Sequence, residues 1–136
     1  EEAGLLLLQA DRCSYLLTVG RNEEGQQVVR LAKAEDGVHS VIRELALNAE
    51  EINAKESILL GTTCRNETYD FWYEIAEGSR KGIRVMVAEK LPAELLSSNV
   101  NEGFTGAYIG MYASSCHTDS DNHADFDWFC YEGGRI

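Results

Sequence analysis

The sequence contains no long apolar run, and this absence is the first constraint on what the protein does. The leucines at positions 5–8 fall far short of the roughly 18 apolar residues that a membrane-spanning helix needs. No signal peptide is visible, and the chain opens at Glu1 and Glu2 without a methionine. We therefore expect no membrane partner, and we interpret the chain as a fragment or trimmed piece of a longer protein.

Basic residues are scarce. Lys and Arg number 12 against 23 Asp and Glu, which gives a formal net charge of -11. This charge repels nucleic-acid phosphate and anionic membrane surfaces, so we exclude nucleic-acid binding and disfavour membrane association. A neutral polysaccharide is compatible with the charge, although a charge of this size more often serves solubility alone.

The sequence also lacks the local motifs of several enzyme classes. It has no nucleophile elbow, no Gly-rich phosphate loop and no Cys-x-x-Cys pair of a zinc ribbon. Its cysteines, Cys13, Cys64, Cys116 and Cys130, allow alternative pairings that their spacing does not distinguish. Partly buried free thiols are the simplest interpretation, and a cytoplasmic and a periplasmic or secreted location both stay open.

Helical signals are sparse, and the dominant period of the sequence is two residues. Only residues 46–55 and 92–96 carry weak helical patterns, the second with Pro92 at a possible first helical position. We predict a single domain over residues 1–136 that is all-β, an antiparallel β-sandwich or barrel. About nine strands are predicted from the alternation, at Gly4–Gln9, Tyr15–Val19, Gln27–Ala32, Val38–Leu47, Ser57–Cys64, Tyr69–Ala76, Ile83–Glu89, Thr105–Ala113 and Ala124–Tyr131.

One predicted strand, Tyr69–Ile75, separates into two chemically different faces. Its odd-numbered positions are aromatic or aliphatic, and we assign them to the core. Its even-numbered positions are Asp70, Trp72 and Glu74. An indole between two carboxylates is typical of a sugar-binding surface, because aromatic rings stack on sugars and carboxylates accept hydroxyl hydrogen bonds. The alternative is a solvated strand face with a partly covered Trp72.

A catalytic carboxylate pair is excluded on this strand by distance. Residues as far apart in sequence as Asp70 and Glu74 are separated by about 13 Å along a strand, whereas glycosidase carboxylate pairs lie roughly 5–9.5 Å apart. We therefore assign no catalytic residue to this face. Its two interpretations remain sugar binding and a solvated strand face.

Oxygen and imidazole donors are concentrated near the C-terminus. The loop from Cys116 to His123 contains Asp-x-Asp-Asn but lacks the glycine and final glutamate of a calcium loop, so we interpret it as a surface loop. A soft-metal site of His117 and His123 with Cys116 is a weaker alternative. Asp125 and Asp127 share one face of the last predicted strand. They are either hydrogen-bonded to backbone N–H groups or ligands of a calcium ion, the cofactor that these residues suggest.

Three segments, in order along the chain, resemble one protein family. They are the opening strand Glu1–Gln9, the aromatic strand Tyr69–Tyr73, and the closing stretch of residues 96–132. They resemble the C-terminal β-sandwich of glycoside hydrolase family 43, the β-xylosidase and α-L-arabinofuranosidase group. The resemblance implies a concanavalin A-like jelly roll. That sandwich has further strands before the opening one, so the fold here would be incomplete at its N-terminus and some sheet edges would lack partners.

In that family the sandwich packs against an N-terminal propeller that holds the catalytic carboxylates. The resemblance therefore implies a propeller domain of the same protein as partner and no catalytic residue in this chain. An aromatic residue of the family's sandwich helps to close the substrate pocket. Phe104, in Gly103-Phe104-Thr105-Gly106, is our candidate for it, and Tyr108 is the competing position. The simpler alternative is that Phe104 packs beneath its own loop.

The implied function is that of a non-catalytic accessory domain of a glycoside hydrolase in xylan degradation. The substrates would be xylan-derived or arabinose-containing oligosaccharides, contacted by Phe104, Trp72, Asp70 and Glu74. The alternative is a free-standing carbohydrate-binding, lectin-like module that uses Trp72 and the neighbouring acids.

Overall fold

The structure, a computed structural model, describes residues 2–10, 13–47, 57–65, 67–75, 82–92, 108–114 and 126. In these ranges the chain forms eight β-strands. A helix able to cross a membrane does not occur in this part of the chain. The strands are β1 (Glu2–Ala10), β2 (Cys13–Arg21), β3 (Gln27–Glu35), β4 (Val38–Ala46), β5 (Ile58–Arg65), β6 (Thr68–Ile75), β7 (Val85–Pro92) and β8 (Tyr108–Ser114).

The strands form two antiparallel sheets packed face to face. In the first sheet β1 to β4 form a meander and β8 pairs with the other side of β1, which gives the order β4-β3-β2-β1-β8. The second sheet has the order β5-β6-β7. β5 lies against β1 and β7 against β4, so the second sheet lies over β1 to β4. The prediction of an all-β antiparallel sandwich is confirmed.

Two of the connections are tight turns whose residues explain their geometry. Asp36 and Gly37 have φ values of 51° and 82° and join the paired residues Glu35 and Val38. Positive φ at both central residues is the type I′ geometry, whose twist matches that of the flanking strands. Before β3, Asn22 Oδ1 accepts hydrogen bonds from the backbone N–H groups of Glu24 and Gln26, at 3.0 and 2.9 Å.

The core lies between the sheets and is supplied by the inward-facing positions of the strands. The odd-numbered positions of β6 belong to it, as the alternation predicts. Full burial of one such side chain stabilises the fold by about 1.5–3 kcal/mol. The buried cluster consists of Leu7, Cys13, Tyr15, Leu17, Val29, Leu31, Leu47, Phe71, Tyr73, Ile75 and Val87.

Two polar side chains connect the sheets through this apolar layer. The Tyr15 hydroxyl donates to the Pro92 carbonyl oxygen at 2.7 Å, and its ring centroid lies 5.4 Å from that of Phe71. Arg43 Nη1 donates to the Val87 carbonyl oxygen at 3.2 Å. Burial, with smaller contributions from the charges of Glu35 and Tyr69, raises the pKa of Tyr15 to about 12.

Eight of the predicted strands correspond to β1 to β8. The suggestion that Pro92 starts a helix is wrong, because Pro92 is the last residue of β7. At that position its missing N–H removes no hydrogen bond from the interior of a sheet. The predicted strand Ala124–Tyr131 lies outside the described residues except for Phe126, which belongs to no strand and is 42% exposed.

Tyr15→Phe tests the hydrogen bond that the Tyr15 hydroxyl donates to Pro92 in the other sheet. We expect a loss of about 1–2 kcal/mol at neutral pH, because the Pro92 carbonyl loses its donor. The folded-state pKa of Tyr15 is raised from 10.0 to about 12. The stabilisation by neutral Tyr15 is therefore fully present below pH 10 and falls between pH 10 and 12, since the unfolded chain ionises first.

Urea unfolding across this pH window checks the prediction. The wild type should lose more stability on passing from pH 10 to 12 than Tyr15→Phe does. Tyr112→Phe, a change at a partly buried tyrosine of β8 outside the core cluster, is the matched control. Equal alkaline losses in the wild type and Tyr15→Phe would contradict the assignment.

Candidate functional site

Asp70, Trp72 and Glu74 lie on the side of β6 that points away from the core, and we call them the Trp72 face. Each is partly exposed, whereas Phe71 and Tyr73 between them are 0% and 7% exposed. The prediction that β6 has a core face and an outer face is therefore confirmed.

The Trp72 indole is packed on intramolecular partners. It lies across Gly61, its paired residue on β5, and a Cβ atom at Gly61 would overlap the six-membered ring. The guanidinium carbon of Arg84 lies 3.7 Å from the ring centroid, a cation–π contact. The indole N–H donates to Thr63 Oγ1 at 3.4 Å. These contacts reduce the ring area that is left for stacking on a sugar.

Glu74 holds the arginine that covers the indole. Arg84 Nε donates to Glu74 Oε1 at 3.1 Å, with the two side chains 50% and 20% exposed. An ion pair this exposed contributes at most about 1 kcal/mol. The main effect of this ion pair is on geometry, because it fixes the guanidinium of a long, flexible side chain above Trp72.

Asp70 stabilises an irregularity of the neighbouring strand. The pairing of β6 with β7 shifts register between Tyr69 and Phe71 and again between Phe71 and Trp72. In this bulged stretch Lys90 has a φ of 57°, and its backbone N–H donates to Asp70 Oδ1 at 2.8 Å. Asp70 thus accepts a hydrogen bond from a backbone group that the bulge displaces from the regular ladder.

Two residues of this site were missed by sequence reasoning. Gly61 carries a usable signal, because a glycine inside a strand often marks the close approach of another group. Arg84 carries none, because its contact with Trp72 depends on the register of β7 beside β6 rather than on any local spacing. Chemically the face can form hydrogen bonds and a limited stacking contact.

The other predicted site residues lie elsewhere in the chain. Phe104, Asp125 and Asp127 are outside the described residues, so their roles in pocket closure and calcium binding stay predictions. Of Tyr108 only the backbone is described, as the first residue of β8. Among the described residues no group of three or more His, Cys, Asp or Glu side chains could hold a metal ion.

The cysteines have different surroundings. Cys13 is buried in the core cluster, and Cys64, near the end of β5, is an exposed free thiol. Cys116 and Cys130 lie outside the described residues.

Two packed antiparallel sheets, with the last described strand returning beside the first, define a β-sandwich domain. The family profile of the "Beta xylosidase C-terminal Concanavalin A-like domain" of glycoside hydrolase family 43 matches residues 1–132. The chain belongs to this family of C-terminal domains, as its motifs predicted, and its fold is of the concanavalin A-like class.

Relatives of known identity are much longer than this chain. A "Non-reducing end alpha-L-arabinofuranosidase" of Bacteroides ovatus is 32% identical over 130 residues, which are 95% of this chain and 22% of that protein. The fold of this chain is similar to the solved structure of "Bacteroides ovatus Xyloglucan PUL GH43B". The TM-score is 0.68, and the identity is 26% over 83% of this chain and 20% of that one.

A GH43_12 protein retrieved from capybara gut metagenome is also similar in structure. The TM-score between that structure and this chain is 0.64, with 29% identity over 81% of this chain and 20% of that one. The chain therefore spans about a fifth of the length of the relatives that it matches.

Gly61→Ala tests the packing of the Trp72 face. The added methyl group overlaps the indole, so the ring must leave its position and lose the contact with Arg84. We expect a loss of about 1–3 kcal/mol in unfolding free energy, the range for overpacking, and a change in tryptophan fluorescence.

Gly110→Ala in β8 is the matched control, because nothing lies within 4 Å of a Cβ atom there. That substitution should leave stability unchanged or slightly raised. Equal effects of the two substitutions would show that the close approach of Trp72 to Gly61 does not constrain the fold.

Proposed function

We propose that this chain is the non-catalytic accessory sandwich of a family 43 glycoside hydrolase and packs on the catalytic propeller of the same protein. The proposed substrates are arabinose-containing or xylan-derived oligosaccharides. The carrying observation is the family match over residues 1–132, in a chain that spans only 22% of an arabinofuranosidase relative. In a protein of that length, most of the polypeptide is available for a catalytic domain.

The proposed contribution to catalysis is closure of the substrate pocket by Phe104. Gly103 and Gly106 allow a sharp turn around it, and an apolar ring at such a turn has little core of its own to join. In a cleft between two domains the ring would exclude water and line a sugar subsite. The catalytic carboxylates belong to the propeller in this proposal, so the sandwich shapes the pocket and performs no chemical step.

Phe104→Ala in the complete parent enzyme tests this role. We expect kcat/KM to fall by about 10–200-fold, which corresponds to roughly 1–3 kcal/mol of lost transition-state binding from one pocket contact. The melting temperature should barely change, because the ring contributes to the cleft rather than to the sandwich core.

The opposite pattern supports packing of Phe104 beneath its own loop. In that case the sandwich loses roughly 3–5 kcal/mol, as for a buried phenylalanine, and the folded enzyme keeps its kinetics. The isolated 136-residue chain, assayed in parallel on aryl arabinosides and xylosides, is the negative control. Turnover by this chain that one carboxylate substitution abolishes would overturn the accessory role.

A carbohydrate contact of the chain itself is the second candidate function. It is supported by the position of Trp72 on the outer face of β6, next to the carboxylates of Asp70 and Glu74. A sugar stacking on the indole would have to displace the Arg84 guanidinium, which now lies over the ring. We therefore propose that any such binding is weak in the wild-type chain.

Isothermal titration with xylo- and arabino-oligosaccharides measures this binding. We expect weak or no heat with the wild type, a higher affinity for Arg84→Ala because the ring is uncovered, and no binding by Trp72→Ala. Circular dichroism spectra of each variant confirm that it is folded. Tight binding that survives Trp72→Ala would remove Trp72 from the proposed site and favour a lectin-like module that uses other residues.

A further inference from the structure

Arg84 is the outermost group over the Trp72 face. Its side chain is 50% exposed, whereas that of Glu74, its ion-pair partner, is 20% exposed. The indole beneath it packs on Gly61, and the indole N–H donates to Thr63 Oγ1. A molecule that approaches this face therefore meets a guanidinium before it meets an aromatic ring, and the chemistry of the first contact is that of a cation.

The position of this cation is fixed by two contacts inside the chain. The guanidinium carbon of Arg84 lies 3.7 Å from the centroid of the Trp72 ring, and Nε donates to Glu74 Oε1 at 3.1 Å. An exposed arginine without such contacts loses side-chain entropy when a ligand binds to it. Arg84 is already held in place, so less entropy is lost when it binds a ligand.

Glu74 engages only one edge of the guanidinium. A guanidinium has five N–H donors, arranged so that two of them can bind one carboxylate through parallel hydrogen bonds. The Nε group of Arg84 donates to Glu74, and among the described residues the two Nη groups have no hydrogen-bond acceptor. The end of the guanidinium that Nη1 and Nη2 form is therefore available to a second carboxylate.

We propose that Arg84 binds the carboxylate of a uronic acid, a sugar that carries a carboxylate, through its Nη groups. Trp72 and Glu74 are positioning residues in this site, because they hold the guanidinium. A neutral sugar gains little here, since it must displace Arg84 to stack on the indole. A uronate leaves the contact between Arg84 and Trp72 in place and adds charge-assisted hydrogen bonds, which are about twice as strong as neutral ones.

The net charge of the chain is compatible with an acidic ligand at this point. The charge of -11 is spread over the molecule, and exposed charges more than about 8 Å apart are largely screened at physiological ionic strength. A single carboxylate in contact with Arg84 is therefore affected mainly by the groups next to it. A polymer with a carboxylate on every sugar is repelled more strongly, so the ligand class is a sugar chain with isolated uronate groups.

This inference rests on the proposed function, because it takes carbohydrate as the ligand class. The two proposals can nevertheless fail separately. Kinetics of Phe104→Ala report on pocket closure, and neutral oligosaccharides report on stacking by Trp72. Only an acidic oligosaccharide reports on the Arg84 site.

The test is an NMR titration of the isotope-labelled 136-residue chain with two matched ligands. One is a xylo-oligosaccharide that carries a single glucuronic acid, and the other is the same oligosaccharide with its carboxylate reduced to an alcohol. We expect the N–H signals of the Arg84 side chain and of the Trp72 indole to shift with the acidic ligand, at concentrations where the reduced ligand has no effect. High salt should weaken binding of the acidic ligand, because the contact is between charges.

Variants at Arg84 identify the group that binds. Arg84→Gln should abolish binding of the acidic ligand, and Arg84→Lys should weaken it at least about 10-fold, because an ammonium group cannot form two parallel hydrogen bonds to a carboxylate. Arg21→Gln is the matched control, since it removes the same charge from an exposed arginine of the other sheet, and it should leave the affinity unchanged. The reduced ligand should respond in the opposite direction and bind more tightly to Arg84→Ala.

Three results would overturn the proposal. Equal shifts with the two ligands, or none with either, would show that the carboxylate is not recognised. Equal losses of affinity in Arg84→Gln and Arg21→Gln would reduce the effect to net charge. Binding that disappears in the complete parent, where Arg84→Gln lowers the melting temperature more than Arg21→Gln does, would assign Arg84 to the contact with the propeller.

Discussion

The contact of Tyr15 with the aromatic face of β6 holds the two sheets in one arrangement. Hydrogen bonds within each sheet fix the strands laterally but do not fix one sheet against the other. That relation depends on side chains, and Tyr15 contributes both an apolar and a polar contact to it. Its ring packs with Phe71 and Tyr69, and its hydroxyl reaches the carbonyl of Pro92 at the end of β7. Apolar packing alone would tolerate sliding, whereas the directional hydrogen bond specifies a register between the sheets.

The side chains on the outer side of the second sheet are held by contacts within that sheet. β7 runs irregularly beside β6, and the irregularity is held by the hydrogen bond between Lys90 and Asp70. Residues before β7 then place Arg84 over Trp72 and beside Glu74. The polar residues of this face therefore stabilise the second sheet through contacts inside the chain. A neutral sugar that stacks on Trp72 has to compete with these contacts.

The periodicity of the sequence was sufficient to predict the eight described strands and the two faces of β6, because alternation is a local property. The motifs at residues 1–9 and 96–132 were sufficient for the family. The contact of Arg84 with Trp72 was not predictable, because Arg84 reaches the indole from just before β7, whereas Gly61 on β5 carries the signal of a glycine inside a strand. Pro92 gave a weak helix-start signal because proline suits both that position and a strand end, and sequence spacing does not separate the two. Strand order likewise depends on long-range pairing that no short window contains.

The pairing of β1 with β8 has a consequence for the order in which the chain folds. All other pairings in the described sheets join strands that follow one another in sequence, whereas this one joins the first strand to the last described strand. Closing so long a loop is slow, because its entropy is lost before the contacts form. During synthesis β1, with its leucine run, therefore emerges long before its second partner. The interval in which that edge stays open is the period when the nascent protein is most exposed to wrong strand pairing.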